Sequence, residues 1–242
     1  MSFSEKELFI EGERISISIN QPNNPLQWVI FLFGGSKSRG KERFIDWQEF
    51  LAAENIGSIS FDYSGTGKST GNFFASSLAN RINETATITR WVKKRFGPKV
   101  RLALCGGSMG AYIALGVSRI FPKSIKNLIL FCPAAYAKES HSVCFGPEFT
   151  ACIQKPNSWK NSLSFEWIQQ FTGTVLLLVP ENDEIVPVEI PREFFRRARN
   201  ISKVKYITIP SATHNLLNPE TTNSEIRRLV YKHSIEFFKE NL

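Results

Sequence analysis

No apolar run in this chain is long enough to span a membrane as a helix. The longest, such as 28–33 and 175–179, have the length of strands. The first residues carry Glu5, Lys6, Glu7, Glu11 and Glu13 with no apolar core, so no secretory signal is expected. Cys105, Cys132, Cys144 and Cys152 form no C-x-x-C pair, which argues against metal binding. Two of them fall in apolar strands, which suggests reduced thiols and a cytoplasmic setting. There is no internal repeat or low-complexity tract. Histidine is scarce, with only His141, His214 and His233, and Asp183 is the one aspartate of the second half.

Charge is less scarce, with 30 Lys and Arg against 22 Asp and Glu and a net of +8. A polyanion could match such a surplus. Most of these side chains, however, lie on predicted helices (Lys93, Lys94, Arg95, then Arg192, Arg196, Arg197, Arg199) and read as solvated faces. No RNA- or DNA-binding signature accompanies them, so no nucleic-acid partner is expected. Hydrophobic residues make up 42 % of the 242, ordinary for a globular chain able to bury a large core.

The chain opens with two alternating segments, 8–10 and 14–19, joined at Glu11-Gly12-Glu13 and read as an edge hairpin. Apolar strands follow near 28–33, 57–62, 100–105, 127–132, 174–179 and 204–209. Helical stretches lie near 41–54, 79–96, 109–121, 190–199 and 222–240. This alternation predicts an α/β fold, a mostly parallel sheet of about eight strands with helices on both faces. One domain over 1–242 is the simplest reading. About forty residues between Pro133 and Thr174 break the rhythm and hold Phe145, Phe149, Trp159, Phe165, Trp167 and Phe171. A segment this long without regular alternation suggests a cap or lid, at about 137–172.

In an open parallel sheet, ligands bind beyond the carboxyl ends of the strands, so the residues after each strand carry the chemistry. Gly106-Gly107-Ser108-Met109-Gly110 reads G-x-S-x-G between an apolar strand and a helix. That turn cramps the serine and exposes its Oγ, and it points the first N–H groups of the helix toward it. Gly34-Gly35 follows the third strand with little bulk, free to turn its N–H groups toward Ser108. Glu181, Asp183 and Glu184 follow one of the last strands, and His214 follows the other. His214 is the candidate general base, since His233 lies inside a helix and His141 in the insertion. Gly65-Thr66-Gly67-Lys68-Ser69 imitates a P-loop tail, but Asp62 stands where the first glycine is needed.

These motifs together resemble the α/β-hydrolases of the capped serine-esterase, monoacylglycerol-lipase and serine-aminopeptidase-like group, over nearly the whole chain. Residues 61–69 resemble the turn F-D-x-R-G-x-G-x-S, with Ser64 where arginine is usual. Asp183-Glu184-Ile185-Val186-Pro187 resembles the acid loop and His214-Asn215-Leu216 the base loop. The resemblance implies the α/β-hydrolase fold and a catalytic set of Ser108 as nucleophile, His214 as base and Asp183 as its orienting acid. Gly35 and Met109 would supply the oxyanion N–H groups, although Phe33 replaces the histidine usual before Gly34. The implied activity is hydrolysis of carboxylic esters through an acyl-enzyme, needing no cofactor and no metal. Thioester or peptide hydrolysis would use the same machinery, and a catalytically silent binding protein on this fold is the alternative of a different class. The substrate is expected to be a small acyl compound. A basic rim of Lys37, Arg39, Lys41, Arg43 and Lys68 near the catalytic end suggests a preference for anionic ones. The oligomeric state has no signature in the sequence.

Overall fold

The computed structural model describes residues 2–35, 37, 40–198, 203–218 and 220–241. Strands β1 (Ser2–Ile10) and β2 (Glu13–Gln21) form the expected hairpin, with Phe9 opposite Arg14 and Ile10 opposite Glu13. Six more strands follow: β3 (Trp28–Leu32), β4 (Gly57–Phe61), β5 (Leu102–Gly107), β6 (Ile125–Phe131), β7 (Thr174–Asn182) and β8 (Lys203–Thr213). They join one eight-stranded sheet in the order β1-β2-β4-β3-β5-β6-β7-β8. Pairing is antiparallel at β1–β2 and β2–β4 and parallel from β4 to β8.

The five parallel pairings align the carboxyl ends of the strands along one edge. Leu32 lies beside Gly106, Gly107 beside Phe131, Phe131 beside Leu178 and Asn182 beside Thr213. Central strands β3, β4 and β5 are buried along their whole length, as near-continuous apolar runs between two helical layers require. The helices are α1 (Ile45–Ala53), α2 (Leu78–Phe96), α3 (Met109–Ile120), α4 (Pro147–Gln154), α5 (Leu163–Gln170), α6 (Glu189–Arg197) and α7 (Ser224–Lys239). Helix α3 is buried from Met109 to Ser118, which explains a sequence that is apolar on every side.

Three expectations change in detail. The stretch 41–54 is a 3-10 turn at Lys41–Phe44 followed by α1, because the Asp62 carboxylate holds the Lys41 N–H at 2.7 Å where the turn begins. Strands β7 and β8 run to 182 and 213, several residues beyond their apolar cores, through a register shift at Pro180/Asn182. The insertion, expected to lack regular alternation, holds two short helices, α4 and α5. Its backbone is fixed to the body by His141 C=O accepting from Ala79 N–H (2.9 Å) and by Phe145 N–H donating to Ser76 C=O (2.8 Å). Phe165 packs on Phe194 of α6 and Trp167 on Tyr112 of α3.

Candidate active site

Ser108 stands between β5 and α3 at φ +52°, ψ −117°, a conformation that side chains other than glycine rarely adopt. The surrounding glycines make it possible. A Cβ on Gly106 would run into the Gly110 carbonyl, and one on Gly110 into the Leu32 carbonyl of β3. The backbone is fixed by Ser108 N–H donating to Phe131 C=O (3.1 Å) and by Ser108 C=O accepting from Ala134 N–H (3.3 Å).

Asp183 and His214 meet because β7 and β8 are neighbours extended to the same level. His214 Nδ1 lies 2.9 Å from each carboxylate oxygen of Asp183. Asp183 Oδ1 also accepts from the N–H groups of Ile185 (3.0 Å) and Val186 (2.8 Å), which fixes the carboxylate within its own turn. Desolvation pushes this carboxyl up, but the bond to His214 and the two N–H groups outweigh it and hold it below the ordinary carboxylate value. The competing glutamates have other partners. Glu181 accepts from Ser211 N–H (2.7 Å) and Glu184 from His214 N–H (3.3 Å), so both brace the backbone of the base strand and loop.

Gly34 and Gly35 pass directly over the elbow. A Cβ on Gly34 would touch Ser108, and one on Gly35 the Met109 side chain. Met109 opens α3, where the first N–H groups lack intrahelical acceptors. Phe33, in place of the usual histidine, is held by an aromatic column. Arg43 lies over its ring at 5.3 Å, Tyr63 meets it edge-on at 5.0 Å, and Arg81 lies 4.5 Å over Tyr63. Arg81 and Glu84, both buried on α2, pair at 3.3 Å, and Glu84 accepts the Ser64 N–H at 3.0 Å. A buried ion pair on α2 thus stands beside Ser64, bonded to its backbone through Glu84. Sequence reasoning missed this pair, and it missed Tyr136. Burial pushes the Tyr136 phenol up, and the nearby Ser108 side chain works against that rise. No spacing pattern marks either feature; they exist only through tertiary contact.

The other histidines lie elsewhere. His141 Nδ1 meets Tyr112 Oη at 3.0 Å, with desolvation lowering its pKa, and His233 Nδ1 lies 3.3 Å from Glu236 on α7. The P-loop imitation closes around Asp62 itself, whose carboxylate takes the N–H groups of Lys41 (2.7 Å) and Lys68 (2.9 Å) that a phosphate would need. The basic rim is corrected by the same network. Lys41 is only 1 % exposed, with Nζ 3.1 Å from Glu5 and 3.9 Å from Asp62, and Lys68 Nζ lies 3.3 Å from Glu5. Lys37 lies over the Phe74 ring at 5.1 Å, and Arg39 lies outside the described residues. An exposed charge was expected at Lys41 because its partners, Glu5 and Asp62, lie on distant strands.

Ser108 and His214 open on one cavity of about 790 Å³, within the range of small-molecule sites. Its walls come from the Phe33–Gly35 loop, the 40–43 segment with Glu42 and Arg43, Ile185, and the loop from His214 to Glu220. Among the described residues that line it, none belongs to the 137–172 insertion. The insertion contributes Phe145 to a much smaller space behind Gly35, Met109 and Arg81. No helix among the described residues is long and apolar enough to cross a membrane.

No curated protein matches the chain. Among solved structures it is similar to Est1E of Butyrivibrio proteoclasticus with ferulic acid bound, at 18 % identity and a TM-score of 0.77, covering 98 % of each chain. A Pyrococcus furiosus esterase gives 22 % and 0.75, covering 99 % of this chain and 91 % of that one. Mouse alpha/beta hydrolase domain-containing protein 10 gives 18 % and 0.72, covering 98 % and 99 %. At these identities the likeness is one of fold, and the fold is that of the α/β-hydrolases. The family model described as serine aminopeptidase, S33 matches residues 24–167, more than half the chain and a span that includes Gly34-Gly35, the Asp62 turn and the turn at Ser108. By that match the chain belongs to the serine aminopeptidase S33 family.

Proposed function

We propose that this protein is a serine hydrolase that cleaves small carboxylic esters through an acyl-enzyme. The observation that carries the reading is the Asp183–His214 pair, 2.9 Å at both oxygens, beside a cavity it shares with a strained, exposed-hydroxyl Ser108. Ser108 Oγ attacks the substrate carbonyl while His214 Nε2 takes its proton. Asp183 holds the imidazole in the required tautomer and balances its charge. The N–H groups of Gly35 and Met109 receive the oxyanion, where one good donor contributes about 3–4 kcal/mol to the barrier. As the tetrahedral species collapses, His214 returns the proton to the leaving alkoxide, and an acyl-Ser108 ester remains. Water, deprotonated by His214, then attacks that ester and releases the acid.

Esters are preferred over peptides because a solved neighbour named as an esterase shares the fold over nearly the full chain, and another holds ferulic acid. With Lys41 and Lys68 neutralised and Glu42 and Glu220 facing the same cavity as Arg43, the substrate is better read as a neutral ester than an anionic one. The cysteines recorded as free, Cys105 and Cys132 among them buried, suit a reducing cytoplasmic setting. A fluorophosphonate probe should label Ser108, and p-nitrophenyl esters of increasing chain length should report turnover and the acyl length the cavity accepts. A protein that neither reacts with the probe nor turns over any ester in the series would be a binding module on this fold, and the reading would fail.

A further inference from the structure

The parallel sheet has a second end, opposite the catalytic one, where β5 and β6 begin. No Asp or Glu occurs between Glu84 and Glu139, a stretch that carries ten Lys and Arg. The fold gathers four of these around one groove of about 340 Å³. Lys99 and Arg101 come from the α2–β5 connection, Lys123 and Lys126 from the α3–β6 connection, and the Ser124 and Asn127 side chains lie between them. All four cations are exposed. Among the described residues, no carboxylate lies within 4.0 Å of Lys99, Arg101, Lys123 or Lys126, and Lys126 Nζ reaches the Thr172 hydroxyl at 3.3 Å.

Several cations elsewhere on the surface are paired with carboxylates. Lys203 and Lys205 share Glu240, Lys239 meets Glu54, and Arg227 meets Asp46. One donor next to groove-lining Asn127 is also spare. The buried Gln27 amide gives its oxygen to Asn127 at 3.4 Å, and its Nε2 has no hydrogen-bond partner among the described residues. A concave site with four cations that meet no carboxylate among the described residues, and one spare donor beside it, asks for a compact ligand of several negative charges. One carboxylate would leave most of that charge unbalanced. Clustered phosphates suit it better, because Arg101 can take a phosphate bidentately while the lysines act as point charges.

We propose that this groove is a binding site for a soluble ligand bearing two or more linked phosphate groups, separate from the catalytic cavity. The same four residues Pro98-Lys99-Val100-Arg101 also line an adjoining cavity of about 600 Å³ with Leu26, Trp28 and Phe96, which offers an apolar seat for the rest of such a ligand.

The test is calorimetric titration of the full chain with sodium tripolyphosphate at low and moderate salt. Wild type should bind saturably, more tightly than it binds inorganic phosphate, and less tightly as salt rises. Arg101→Gln with Lys123→Gln should weaken binding by about tenfold for each cation removed. Lys6→Gln on β1 with Arg192→Gln on α6, beside the carboxyl end of β7, equal in charge change but remote, should leave it unaltered. Hydrolysis of p-nitrophenyl acetate should stay at the wild-type rate in both variants, and circular dichroism should stay native. The proposal is overturned if wild type gives no saturable binding, or if the remote pair weakens it equally, since net charge alone would then explain it. It is also overturned if phosphatidylserine vesicles sediment the protein through Arg101 and Lys123 while tripolyphosphate does not bind, because the phosphate source would then be a membrane.

Discussion

At the scale of single residues, Ser108 combines two demands that oppose each other. Its φ of +52° exposes the hydroxyl but strains a residue with a Cβ, at a cost of about 1–3 kcal/mol. Ser108→Gly should therefore raise the urea midpoint, by about 1 kcal/mol in stability, while Ser108→Ala keeps the strain and leaves the midpoint near wild type. Both should lose probe labelling. Equal midpoints for Gly and Ala would mean that the turn is not strained. The three acids near His214 separate in the same way. Asp183→Asn keeps a hydrogen-bonding shape but favours the wrong imidazole tautomer, and should cost about 10⁴ in kcat. Glu181→Gln and Glu184→Gln retain an acceptor for the N–H groups of Ser211 and His214, so each should stay within a few-fold of wild type in ester turnover.

At the scale of elements, α2 carries a buried ion pair whose members depend on each other. Desolvation pushes the Glu84 carboxyl up and Arg81 opposes that rise. Arg81→Met would leave the carboxylate buried without its cation, a loss of about 3–5 kcal/mol by urea unfolding, and adding Glu84→Gln should recover most of it. Helix α6 makes a pH prediction. Hydrogen bonds from Arg196 hold Glu193 at about 2, against burial and with Arg197 assisting, below its ordinary 4.5. A carboxyl depressed in the folded state contributes stability that is present above pH 4.5 and lost as the pH falls through about 2. Glu193→Gln should flatten the stability profile across that window and lower the midpoint above it. The elements themselves were largely legible in the sequence, because apolar strands such as Trp28–Leu32 and Gly57–Phe61 are bounded by turn residues. Helix α4 was not, since only Phe149 of its eight residues is buried and no apolar stripe marks it. Ser108 and His214 could be picked out because each follows a strand, the serine within G-x-S-x-G, whereas Asp183 was separated from Glu181 and Glu184 only by the resemblance of its loop to the family's acid loop. Tyr136, Arg81 and the burial of Lys41 could not, because their partners lie far away in sequence and only the packed sheet and helices bring them near.

At the scale of the whole molecule, the sheet has a polarity that separates two chemistries. The cavity opens where the parallel strands end, and the unmatched cations cluster where β5 and β6 begin. The proposed catalytic set is also divided between the middle of the sheet and its border. Ser108 hangs from β5, flanked by strands on both sides, while His214 hangs from β8, which among the described residues has a neighbour on one side alone. A ribosome would therefore release the proposed nucleophile about a hundred residues before its proposed base, and a chain still being made would carry the serine without the histidine. The finished protein keeps a trace of that order. A border strand can detach without the centre melting, so opening of β8 would disable the enzyme while most of the helix signal persists. In rising urea, ester turnover should vanish before the far-ultraviolet circular dichroism changes, and coincident curves would mean that β8 holds as firmly as the strands at the centre.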